Sequence, residues 1–305
     1  MRDFNEPSRL PLGDGIDSTN DDAWEMNEIS FTKAQAEGAN RTIIYRLPTG
    51  ATTDIARALA VALAEAGAKV SVTTSAAVDE QEVLANSILN ECWAASGEEG
   101  KSFTLDLTDA AGFTEAIESL EKELGPVDVL VNAPHFANIK PVLDSSTDEW
   151  ANELSRNATA VFVASQTVGR GMVSRGKGRI INLVSNLYDR GIPNCALFGA
   201  SQGAVLGFTK SLGLEWGGGD PLTKDRVTVN ALGIGFYEGV AGPQNDPNLS
   251  LVLQKYIPLR RLGRPEDLRG AVVYLASDEA DYVNAFAADI ALLDQVGARP
   301  VVVHG

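Results

Sequence analysis

Few residues in this 305-residue chain combine reactive chemistry with a telling position. Ser185 closes the apolar run Ile180, Ile181, Leu183 and Val184. Such a run predicts a strand covered on both faces. Open α/β sheets place their sites at the carboxyl ends of strands, so Ser185 lies where a small-molecule site is expected. Tyr188 and Asp189 follow in the same loop. Tyr188 reads either as a displaced proton donor or as a loop aromatic packed on a lid or a neighbour. His135 and His304 are the only histidines. His135 reads as a core histidine, a general base or a ligand contact. Cys92 and Cys195 read as isolated thiols of a reducing compartment, and no Cys/His cluster has metal-ligand spacing.

The elements that must position these residues follow a regular alternation. Strands are expected at residues 42–47, 70–74, 102–105 and 127–131, with Tyr45 as the alternative end of the first because Arg46 and Pro48 suit a central strand badly. Helices fill the intervals, including 109–124, one continuous helix over 148–175, and 196–216 with its small residues at helical spacing. The predicted class is α/β: a Rossmann-like, doubly wound, mainly parallel seven-stranded sheet with helices on both faces. Three segments are expected. Residues 1–40 form an acidic extension, disordered, wrapped on a partner or laid as a lid; 41–297 form the domain; 298–305 form a tail.

The stretch 178–210, "GRIINLVSNLYDRGIPNCALFGASQGAVLGFTK", resembles the short-chain dehydrogenase/reductase family around its catalytic Ser and its Tyr-x-x-x-Lys. The match is gapless. Ser185 falls on the family's Ser, Phe198 on its Tyr and Gln202 on its Lys. Asn157 matches the family Asn that holds a water in the proton relay. The family's Thr-Gly-x-x-x-Gly-x-Gly turn reads "TGATTDIA" here: Gly50 keeps the first glycine, Asp54 holds the second place and Ala56 the third. Asp106 matches an Asp facing adenine, and reads equally as a helix cap. The family's Asn-Asn-Ala-Gly becomes Asn132, Ala133, Pro134 and His135. Thr74 and Ser75 supply neither the acid nor the base that relatives use at the ribose. By the same resemblance residues 237–257 correspond to the family's variable substrate loop and 258–285 to its last helix, and the likeness covers about residues 41–297.

The resemblance implies a reductase chemistry that these substitutions undo. Phe198 has no proton to give and Gln202 is neutral, and losing a general acid costs about 10²–10⁴ in rate. Asp54 and His135 are expected to fill space needed by a dinucleotide, so NAD(P) binding is expected to be lost, with no cofactor. The remaining Ser185 and Asn157 then read as vestigial. The resemblance also implies a dimer or tetramer through helices 148–175 and 196–216 plus the last strand, with Ala158, Ala160, Val161 and Ala164 on the first helix and Ala200, Ala204, Val205 and Gly207 on the second at the contact. Together these point to a non-catalytic subunit that supports a catalytically intact paralogue, an architecture resembling the heteromeric hydroxyacyl-CoA dehydrogenases of anaerobic toluene breakdown. The alternatives are a divergent NAD(P)-dependent oxidoreductase using Tyr188 or His135, and a cofactor-free enzyme like the halohydrin dehalogenases.

Composition excludes other classes. The net charge of −16 argues against a nucleic-acid surface. No apolar run approaches the roughly 18 residues that span a bilayer, and residues 1–22 have no apolar signal core, so a cytoplasmic protein is expected.

Overall fold

A computed structural model describes residues 42–46, 53–74, 79–104, 106, 108–218, 226–238 and 247–290. The chain runs β1 (Thr42–Arg46), α1 (Thr53–Glu65), β2 (Lys69–Thr74), α2 (Asp79–Ser96), β3 (Ser102–Thr104), α3 (Ala110–Leu124) and β4 (Val127–Asn132). It continues through α4 (Thr147–Leu154), α5 (Ala160–Arg175), β5 (Lys177–Ser185), the short α6 (Leu187–Arg190), α7 (Ala196–Trp216), β6 (Arg226–Ile234), α8 (Pro247–Tyr256), α9 (Arg269–Ala276) and β7 (Ala287–Ile290).

The seven strands pair in the order β3-β2-β1-β4-β5-β6-β7, and every pairing is parallel. The doubly wound expectation is met. β2 and β3 extend the sheet to one side of β1, and β4 opens the other side. The crevice at the carboxyl ends of β1 and β4 is therefore the topological switch point, where such sheets bind ligands. β1 runs through Arg46, which pairs with Thr73 and Asn132, so it does not stop at Tyr45.

Two apolar layers cover the sheet. On one face α1 packs against α2 and α9, burying Ile55, Leu59, Leu63, Ile88 and Val272. On the other, α3 and α5 bury Phe113, Ile117, Leu120, Val168 and Met172 against Leu130, Ile180 and Val229 of the sheet. Phe113, Ile117 and Leu120 recur at helical spacing, so one stripe of α3 meets the sheet. The Asp109 side chain caps α3 by accepting from the Ala111 N–H. A Ser146–Glu149 capping box starts α4. Gly176, at φ 67°, ends α5 in the left-handed conformation that glycine adopts without strain.

The expected single helix at 148–175 is interrupted. A π-helical turn at Ser155–Thr159 separates α4 from α5, and Asn157 lies within it. The wide turn accompanies a bond network from the Asn157 side chain to the backbone of Phe136, which a regular helix would have to satisfy in another way. Residues 237–257, expected as a variable loop, contain α8. The expected last helix, 258–285, is α9 flanked by the 3-10 turns Pro265–Leu268 and Asp278–Ala280.

Candidate active site

Ser185 is the last residue of β5, and α7 passes beside it. The Ser185 N–H donates to Gln202 Oε1 at 2.8 Å. Gln202 is fully buried, and Ser185 is nearly so. The hydroxyl of Ser185 accepts from the Leu187 N–H at 3.4 Å, a long contact that helps start α6. One helical turn before Gln202, Phe198 is 2% exposed. It belongs to an apolar cluster with Leu187, Cys195, Phe236, Leu253 and Ile257. Leu253 comes from α8, so the segment expected as a substrate loop closes over Phe198. The His135 ring meets the Phe198 ring edge-on, with centroids 4.8 Å apart and planes 68° apart. The structure therefore brings Ser185, Phe198, Gln202 and His135 to one end of the sheet.

Asn157 ties this end together. Its Oδ1 accepts from the Phe136 N–H at 3.0 Å. Its Nδ2 faces Phe136 O at 2.8 Å, Ser201 Oγ at 3.0 Å and Glu153 Oε1 at 3.2 Å. Arg156 stacks over the Phe136 ring at 3.8 Å. These Asn157 bonds are internal, and they fasten the segment after β4 to α4, the π-helical turn and α7.

Sequence reasoning missed Glu153. It is fully buried on α4, four residues before Asn157, and its Oε2 accepts from the Asn138 N–H at 3.1 Å. Burial pushes its carboxyl up to about 7, against the two N–H donors and the nearby Arg156, which favour the anion. Burial also raises the Cys195 thiol, with the Glu153 charge adding to it. The i, i+4 spacing from Asn157 was the available signal, since residues so spaced share a helix face. A buried ladder was missed too: Asn132 Nδ2 donates to Asn182 Oδ1 at 2.9 Å, and Asn182 Nδ2 donates to Thr209 Oγ1 at 2.8 Å.

Other expected positions fall as follows. Gly50 lies outside the described residues. Asp54 is exposed in the first turn of α1, and Ala56 is buried in the core. Asp106 is exposed, and its carboxylate accepts from the N–H and hydroxyl of Thr108. It closes a turn and does not cap α3, since Asp109 does. Thr74 shares a hydrogen bond with Thr104. Ala133 is buried just past β4. Tyr188 lies on α6, not in a loop, and packs against the chain's own cluster of Val161, Val184, Val205 and Leu206. Among the described residues no three His, Cys, Asp or Glu side chains could hold a metal ion. Nor is any helix among them long and apolar enough to cross a membrane.

The family pattern described as Enoyl-(Acyl carrier protein) reductase matches residues 50–289. The chain belongs to the short-chain dehydrogenase/reductase family. It is 32% identical over 243 residues to 2-dehydro-3-deoxy-D-gluconate 5-dehydrogenase of Dickeya dadantii, covering 79% of this chain and 90% of the relative. It is 32% identical over 238 residues to the 3-oxoacyl-(acyl-carrier-protein) reductase FabG of Vibrio cholerae, covering 78% and 91%. Among solved structures it resembles a gluconate 5-dehydrogenase from Burkholderia cenocepacia in complex with NADP and tartrate, at 28% identity and TM-score 0.70, over 82% of this chain and 93% of that one. Members of the short-chain dehydrogenase/reductase family form dimers or tetramers.

These relatives overturn the expectation that NAD(P) binding is lost. The Burkholderia relative shares this fold and is in complex with NADP. The physical reason lies in the substituted side chains. Asp54 is exposed at the start of α1, where it can stay in solvent. Ala56 adds one methyl on the core side of α1. His135 is only half-buried, with its ring against Phe198. The described residues also offer one feature that suits a dinucleotide. At the family's Lys position, Gln202 Nε2 is a buried donor with no partner among the described residues.

Proposed function

We propose that this chain is a non-catalytic short-chain dehydrogenase/reductase-fold subunit that assembles with, and supports, an active dehydrogenase paralogue. One observation carries this reading. The side chain at the family's proton-donor position, Phe198, is an apolar ring buried in an apolar cluster. It can neither give nor accept a proton, and Gln202 is neutral and tied to the backbone of β5. Ser185 and Asn157 keep their positions, and their bonds serve the fold. A nicotinamide dinucleotide, where bound, supplies or accepts a hydride. In this chain the Gln202 Nε2 would be the donor toward it, with no acid at the Tyr position to complete a reduction.

The outer faces of α5 and α7 support assembly. Ala200, Ala204 and Gly207 are exposed along α7, with Leu214 further on at 77% exposure. Phe162 on α5 is 45% exposed and meets Phe208 of α7 edge-on. By contrast Ala160, Val161, Ala164 and Val205, expected at the interface, are buried in the chain's own core. Residues 1–40 and 298–305, expected as an extension and a tail, lie outside the described residues.

The test is turnover by the purified chain with NADH and NADPH over a panel of ketones, hydroxyacids and acyl thioesters. The expected result is background rate throughout. A specific, saturable reduction would assign the chain to the second reading, a divergent NAD(P)-dependent oxidoreductase. Glu153 favours that reading, as a buried acid that holds its proton up to about pH 7.

A further inference from the structure

We propose that Glu153 is a pH-sensitive latch on residues 136–140: as a neutral acid it keeps this segment closed against α4, and on losing its proton it lets the segment open. The latch is independent of the subunit reading, since it concerns the segment and not turnover. Residues 133–141 follow β4 with no helix or strand of their own. They leave β4 at the switch-point crevice, so bonds from neighbouring elements must hold their backbone groups. The Phe136 N–H and carbonyl bond to the Asn157 side chain. The Asn138 N–H donates to Glu153 Oε2 at 3.1 Å. The Lys140 N–H donates to Asn194 O at 2.7 Å, and the Lys140 ammonium bonds to both Glu149 oxygens, at 2.9 and 3.1 Å. Ala137 packs into the cluster around Phe198, so an opening here would uncover Phe198.

The two carboxyls on α4 differ. Hydrogen bonds with Lys140 hold Glu149 down at about 2, so it stays ionised. Glu153 is fully buried, and burial pushes its carboxyl up to about 7. Hydrogen counting shows why its anion is short of donors. The Asn157 amide nitrogen carries two hydrogens. Three acceptors lie within its reach: Phe136 O at 2.8 Å, Ser201 Oγ at 3.0 Å and Glu153 Oε1 at 3.2 Å. Ser201 spends its own hydrogen on Phe198 O. The longest contact, to Glu153, is the one left short, and the Asn138 N–H is the firm donor that remains. A buried carboxylate so placed is costly. Protonation removes the surplus acceptor and adds a hydrogen. Of the charged and titratable groups around Glu153, Arg156, stacked over the Phe136 ring, favours the anion. Cys195, just before α7, is itself raised by burial and by the Glu153 charge. His135 flanks the segment on the other side, against Phe198.

Amide hydrogen exchange of the full chain at pH 5 and pH 8, corrected for the intrinsic rate at each pH, tests this. Glu153 lies near 4.5 when solvated and about 7 when closed in, so between these values the closed state holds a proton that the open state has released. Opening is therefore favoured as pH rises through this window and levels off above it. Protection of the Phe136 and Asn138 amides is expected to fall about tenfold or more from pH 5 to pH 8. The Ile180 and Ile181 amides of β5 should stay better protected than both at either pH. Glu153→Gln keeps an acceptor for Asn138 without a charge, and should hold protection at its pH 5 level. His135→Phe should leave the fall intact. An Asn138 amide equally protected at both pH values in the wild type overturns the proposal without need of a variant. So does equal protection of the segment and of β5, which would mean global unfolding, or a fall that survives Glu153→Gln.

Discussion

Gln202 Oε1 accepts the backbone N–H of Ser185 at 2.8 Å, joining α7 to the end of β5. Where the family keeps a lysine, this chain spends the side chain on a buried backbone donor. Replacing Gln202 with Leu leaves that N–H unpaired in the interior. The expected loss is about 1–3 kcal/mol of folding stability. Urea unfolding of wild type and Gln202→Leu measures it, and an unchanged midpoint would show that another group takes the donor.

Glu153 should make stability depend on pH. Its carboxyl lies near 4.5 in the unfolded chain and is raised to about 7 in the fold by burial. Between these values the folded state holds a proton that the unfolded state has released. Stability therefore falls as pH rises through that window, and the loss is complete above about pH 7, by on the order of 1–3 kcal/mol. Denaturation at pH 5 and pH 8 tests the sign. Glu153→Gln should flatten this component, while a wild-type chain that gains stability across the same window would contradict it.

Phe198 should behave as a core residue. It packs with Leu187, Phe236, Leu253 and Ile257. Phe198→Ala is expected to cost about 3–5 kcal/mol through lost burial and the cavity left behind. Thermal melting or urea unfolding would show this. A loss below about 1 kcal/mol would mean that the ring is not packed as found.

The fold was legible because buried strands and amphipathic helices alternate with few exceptions. The apolar run at Ile180–Val184 and the stripe of Phe113, Ile117 and Leu120 each declare their element. The site was legible in part. The gapless spacing of Ser185, Phe198 and Gln202 placed all three at one end of the sheet. The break at Ser155–Thr159 was not legible, because it accompanies bonds between Asn157 and Phe136, which are far apart in sequence. Glu153 was hidden for a similar reason: an acid in a helix reads as a solvent-facing charge until tertiary packing buries it. Asp54 and His135 misled in the opposite direction. Residue type suggested blocked space, but exposure depends on how each side chain settles.

Mass photometry of the purified chain, alone and mixed with a short-chain dehydrogenase of the same organism that keeps Tyr-x-x-x-Lys, with turnover measured on the same samples, tests the subunit reading most directly. The expected result is a mixed dimer or tetramer whose activity vanishes on removal of that dehydrogenase's catalytic Tyr and is unaffected by Ser185→Ala in this chain. A chain that stays apart from that dehydrogenase, or a complex whose turnover depends on Ser185, would contradict the subunit reading.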